Sequence, residues 1–200
     1  MQDRPEILNR VQEHGFVVFD GDHDFDLNII GLRNPRPAAG SFDDLLFVVY
    51  KENGQWKEKK YPCTTDPSLY FLKNPLNVKG TAIMKDPQQC RSVYRLDLHQ
   101  GKYKALCQRA GSVKVWRDSN RNEILDRSGD LSEGHGINIH RASAYSVQEE
   151  IGRYSAGCTV IQDPEHFEEF ISLCEKQVLK NGWSSFTYTL IRGSEEDFHA

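Results

Sequence analysis

Apolar positions along this chain fall mostly into short runs or alternate with polar ones, and only two stretches show helical spacing. Ile7, Leu8 and Val11 predict a short helix from Pro5 to Glu13, with Gly15 beyond it as a stop. Phe167, Phe170, Ile171, Cys174 and Val178 form one apolar stripe and predict a longer helix from Pro164 to Lys180. Asp163 is a favourable N-cap there, Pro164 suits the first helical position, and Gly182 ends it. Most of what lies between reads as strands. Phe16–Phe19 and Leu27–Leu32 come first, then a Pro/Gly loop through Gly40. Leu45–Tyr50 and Trp56–Tyr61 flank Asn53-Gly54, a hairpin signal. Val93–Leu98 and Tyr103–Gln108 flank a second turn at His99–Lys102. Val113–Trp116, Gly136–His140 and Phe186–Ile191 complete the strands, with a polar loop from Arg117 to Gly134. Thr64–Gly80, carrying Pro67 and Pro75, reads as a long irregular loop of functional type. The pattern predicts a mainly β, α+β fold over a single domain, 1–200. A helical appendage occupies 1–15 and a frayed tail 194–200.

Charge and composition narrow the function. Lys and Arg total 25 against 29 Asp and Glu, a net charge of −4 with no basic cluster, which argues against a nucleic-acid partner. No apolar run approaches the roughly 20 residues that span a bilayer, so no membrane partner is expected. The polar start, Met1–Glu6, lacks the apolar core of a secretion signal, and synthesis in the cytoplasm without a classical signal peptide is the expectation. The five cysteines, Cys63, Cys90, Cys107, Cys158 and Cys174, cannot all pair within one chain and form no CxxC. They read as reduced thiols, mostly buried, of which one is a candidate nucleophile.

That candidate is Cys158. It follows Ser155-Ala156-Gly157, where small residues let a backbone approach a substrate and present N–H groups to an oxyanion. A thiol needs a partner to become a useful nucleophile, and His140, 18 residues upstream at the end of a β run, is the evident one. His135 lies in a loop between Gly134 and Gly136 and suits the role less. Taken singly, a histidine beside a strand is usually structural and a cysteine before Val160-Ile161 is usually core. The pairing carries the chemical reading.

The order strand, His140, loop, Ser155-Ala156-Gly157-Cys158, strand resembles the L,D-transpeptidase catalytic domain, the YkuD family, across about Gly136–Ile161. That family's signature is a His, about seventeen residues, then Ser/Thr-His-Gly-Cys. Gly136-Ile137-Asn138-Ile139-His140 resembles its opening run, and Asn77–Ile83 resembles the strand lining its cleft. Ala156 replaces the family's second histidine, Arg141 its small residue after the catalytic His, and Val160 its Arg or Asn. The resemblance implies a β-sandwich or barrel with the longer helix after the cysteine, no cofactor, and acyl transfer on peptidoglycan stem peptides. In it Cys158 attacks, His140 serves as base, Ser155 belongs to the motif, and Gly157 and Cys158 supply oxyanion N–H groups. The Arg141 carbonyl orients the imidazole. By charge, Arg141, Arg153 and Lys79 are the groups expected to attract the substrate's carboxylates, with Tyr154 and Gly80 as further substrate-binding candidates. The departures mark a divergent branch, such as a phage lysis enzyme or an exported toxin reaching the wall by lysis or specialised secretion. A catalytically inactive wall-binding or phage structural module on the same fold is the alternative.

Two acidic loops remain. Asp20–Asp26 reads as a solvated loop. Asp118, Asn120, Asn122 and Asp126 occupy positions one, three, five and nine of a calcium loop, but Glu123 stands where Gly is wanted and no Glu closes it. The stretch is read as an Asx-rich turn, with calcium as the alternative. The sequence implies no other metal site.

Overall fold

The computed structural model describes residues 3–198. Eight strands close a barrel and three more form a small sheet beside it. The barrel strands are β1 (Asn28–Arg33), β2 (Asp44–Glu52), β3 (Gln55–Thr64), β5 (Gln88–His99), β6 (Tyr103–Gln108), β9 (Ile139–Arg141), β10 (Thr159–Ile161) and β11 (Ser185–Arg192), in the order β1-β11-β5-β6-β9-β10-β3-β2. β4 (Thr81–Met84), β7 (Val113–Asp118) and β8 (Ser132–Gly134) make the second sheet. Three α-helices accompany them: α1 (Glu6–Glu13), α2 (Leu69–Lys73) and α3 (Pro164–Asn181). The fold is mainly β with helices, as the alternation of apolar residues predicts.

Local chemistry accounts for most boundaries. Asn53 and Gly54 both have positive φ, 53° and 70°, and the Glu52↔Gln55 pair closes a two-residue hairpin between β2 and β3. Asp163 caps α3 by accepting from Glu165 N at 2.7 Å, and Gly182 ends it in the left-handed conformation.

Period-two alternation divides β1 between two cores. Ile29 joins the main core with Leu46, Val48, Tyr188, Leu190 and the α3 stripe of Phe167, Phe170, Ile171 and Cys174. Ile30 and Leu32 face the other way, with Phe47, Val49 and Ile191, and are covered by Ile7, Leu8 and Val11 of α1. A Cβ on Gly31 would meet Tyr188 Oη at 2.1 Å, so the barrel has room for that hydroxyl only because position 31 has no side chain. Arg33, fully buried, sits on the Ile29 side of the alternation. It forms ion pairs with Asp66 (3.3 Å) and Asp86 (3.2 Å) and donates to Met84 O and Thr65. Arg127 and Arg192 pair with the same two carboxylates from outside.

Four expectations are corrected. Phe16–Phe19 is not a strand: side-chain amides take the place of a partner strand. Gln89 brackets Val17 through its N–H and C=O, and Asn28 brackets Phe19 in the same way. The long loop contains the one-turn α2, with Ser68 Oγ accepting from Phe71 N. The polar stretch after Trp116 extends β7 to Asp118 and supplies β8. The tail is ordered through Phe198, since Glu195–Phe198 is a 3-10 turn in which Asp197 accepts from Ser194 and pairs with Arg10; residues 199 and 200 lie outside the described residues.

Candidate active site

The site is built where β9 and β10 run parallel, with Ile139 opposite Thr159 and His140 opposite Val160. Cys158 ends the turn leading into β10, and the next amide, Thr159 N, donates to Asn138 O at 3.0 Å. Backbone contacts hold this turn. Gly157 has φ 120°, and a Cβ there would lie 2.4 Å from Ala82 O on β4, so only glycine fits between turn and sheet. Ser155, wholly buried, has its hydroxyl 2.8 Å from both the Asp66 and Cys158 carbonyls and accepts the Gly157 N–H at 3.2 Å. Ser155 therefore ties the turn to the segment after β3. The Gly157 N–H, expected to face an oxyanion, is instead spent inside the turn on Ser155 Oγ.

Of the five cysteines, Cys158 alone is not buried. Its Sγ accepts the Asn138 N–H at 3.3 Å and lies 3.4 Å from Gly136 O, the arrangement of a neutral thiol donating to a carbonyl. Burial pushes the thiol up to about 11, against a smaller downward effect of the Asn138 N–H. His140 is buried, and its Nδ1 lies 2.9 Å from Arg141 O. That carbonyl can only accept, so Nδ1 carries the proton and Nε2 keeps the lone pair. Burial, and then the neighbouring His99, lower the imidazole to about 3. At neutral pH the resting pair is thus a thiol and a neutral imidazole. No hydrogen bond joins Sγ to the imidazole in this resting geometry.

Three residues that the sequence reading did not assign to the site complete the surroundings of His140. His99 stacks on it with ring centroids 4.2 Å apart and planes 21° from parallel. Asn138 accepts the Gln108 N–H through Oδ1, so its amide nitrogen donates to His99 Nδ1 at 3.1 Å. Tyr103, opposite His99 in the second hairpin, places its hydroxyl 3.5 Å from His140 Nδ1. β5 runs one residue further than the sequence pattern predicts, to His99 opposite Tyr103, and nothing local places that pair against residue 140.

Cys158 opens onto a cleft of about 740 Å³. Leu76–Ala82 form one wall, and Arg117, Ser132, Glu133, His135, Gly136, Ile137 and Ala156 line the remainder. Lys79 and Gly80 are therefore at the cleft. Arg153 and Tyr154 are not: Arg153 stacks on Tyr70, 4.1 Å from its ring, in a separate pocket with Gly40, Ser41 and Glu150, and Tyr154 lines neither. The Arg141 side chain also lies elsewhere, over the Tyr103 ring at 4.2 Å and paired with Glu168 at 3.0 Å. Cationic groups at the cleft are Lys79 and Arg117, with His135 beside them. Arg117 escaped the sequence reading, and His135 entered it only as the less suitable base, because the strand β8 that draws the polar loop into the cleft is only three residues long.

No protein-family model, curated protein or solved structure matches this chain. None of the helices among the described residues is long and apolar enough to cross a membrane.

Proposed function

We propose that the chain is a cysteine acyl-transfer enzyme of the L,D-transpeptidase type, acting on peptidoglycan stem peptides as a transpeptidase, carboxypeptidase or endopeptidase. The observation that carries this reading is the pairing itself. The one thiol of the five that is not buried opens on a cleft of about 740 Å³, and the adjacent parallel strand bears an imidazole whose Nδ1 is tied to the next residue's carbonyl. In this reading Cys158 Sγ adds to a peptide carbonyl while His140 Nε2 takes the thiol proton. The tetrahedral oxyanion accepts the Cys158 N–H, a type of contact worth about 3 kcal/mol in other enzymes. Collapse breaks the C–N bond, the imidazolium returns its proton to the leaving amine, and a thioester remains. Water or a second amine then attacks it and releases Cys158. Lys79 and Arg117 give the cleft the charge to hold stem-peptide carboxylates. Because thiol and imidazole are both neutral at rest, the thiolate is generated only as the substrate carbonyl is attacked.

Cys158→Ala should abolish the change in muropeptide pattern, read by mass spectrometry of purified peptidoglycan after incubation, while far-UV circular dichroism stays unchanged. Full activity in that variant ends the proposal. The alternative, an inactive wall-binding module, draws on the high thiol pKa and on the missing hydrogen bond from thiol to imidazole. Wild-type protein that sediments with peptidoglycan yet leaves its muropeptides intact would select it.

A further inference from the structure

The loop between β7 and β8 carries a feature the acyl-transfer reading does not use. Asp118, at the end of β7, is 1 % exposed. One carboxylate oxygen accepts from Asp126 N at 3.0 Å across the loop, which aims the carboxylate into it. The other, Oδ1, is buried and has no hydrogen-bond partner. A carboxylate oxygen shut away from water without a donor is costly, and a bound cation is one way to satisfy it. The rest of the loop supplies oxygen. Asn120 Oδ1 accepts from Asn122 N and Asn122 Oδ1 from Ile124 N, and each carboxamide oxygen keeps a second lone-pair site. Glu123, in the place a calcium loop reserves for glycine, has φ 68°, the left-handed conformation for which glycine is used there.

We propose that Asp118, Asn120, Asn122, the Ile124 carbonyl and Asp126 form a calcium site. The donors are all oxygen, with neither imidazole nor thiolate among them, which favours a hard cation. Among the described residues no three His, Cys, Asp or Glu side chains gather as a metal cluster; here two carboxylates suffice because carboxamide and main-chain oxygens complete the set. Two negative charges, and Gly129 where a bidentate Glu would close the loop, place the affinity in the weak class, with Kd about 10⁻⁴–10⁻³ M. The site adjoins the cleft. A Cβ on Gly80 would stand 2.3 Å from Asp118 O, so the ion-bearing loop is in backbone contact with the wall that includes Lys79 and Gly80.

Calcium binding to the chelator-treated full chain, followed by calorimetry and thermal unfolding, tests this without reference to peptidoglycan. One ion should bind, and about 10 mM calcium should raise Tm by about 3–10 °C. Magnesium at equal ionic strength should give less than about a third of that rise. Asn122→Ala, at an exposed position, should weaken calcium binding at least about fivefold, and Asp118→Asn should remove it. No binding heat and no Tm rise with calcium would overturn the proposal. Equal effects from magnesium, or Asn122→Ala binding as tightly as wild type, would overturn it as well. Should Asp118→Asn fail to fold, Asn122→Ala decides.

Discussion

Two buried polar centres sit in this barrel and solve the cost of burial in opposite ways. Around Arg33 the groups are charged and paired: one guanidinium lies between Asp66 and Asp86, and each carboxylate takes a second arginine. Around His140 they are neutral: two imidazoles stack, a carboxamide fixes one and a carbonyl the other. The charged centre sets three guanidiniums against the carboxylates of Asp66 and Asp86 and fastens β1 to the segments carrying them. The neutral centre spends Nδ1–H on a carbonyl and leaves Nε2 without a hydrogen bond, on the strand that pairs with the one following Cys158. Burial of polar groups is therefore no mark of reactivity in itself; the two centres differ in whether hydrogen-bonding capacity is left unspent.

Substitution at each centre should separate these roles. His140→Ala should lower muropeptide turnover by about 10²–10⁴-fold while leaving most of the folding stability, as measured by urea unfolding alongside activity. Comparable activity in that variant would make His140 structural, and the same assay on His135→Ala would then test the other imidazole at the cleft. Arg33→Met should do the reverse. It leaves Asp66 and Asp86 without their shared cation, and unfolding should lose about 3–5 kcal/mol, with residual folded protein still active. The smallest effect lies in the acid limb. The folded imidazole of His140 titrates near 3 instead of the usual 6.5. Between those values the unfolded chain binds a proton that the folded one refuses, so stability is full above about pH 6.5 and falls as pH drops toward 3. His140→Gln should shallow that fall in pH-dependent urea titrations; an unchanged slope would assign the acid sensitivity to other groups.

The sequence was most legible where one short-range rule acts alone. Asp163, Pro164 and Gly182 bound α3, and Asn53-Gly54 sets the first hairpin. It misled where side chains imitate main chain. Phe16–Phe19 has the composition of a strand and makes strand-like bonds, but to the amides of Gln89 and Asn28. In the site, His140 and Cys158 were readable because β9 and β10 join them by one short connection in a single motif. His99 was not, since its contact with His140 arises from barrel closure through β5, β6 and β9, which no local spacing encodes. Arg153 was assigned to the substrate by its charge alone. It lies instead in a separate pocket, stacked on Tyr70.

The contact of Gly157 with the Ala82 carbonyl has a mechanical consequence. Main chain abuts main chain there, so the spacing between the Cys158 turn and the facing sheet cannot relax by rotamer exchange. The aperture beside the sulfur behaves as a fixed gauge for whatever enters the cleft.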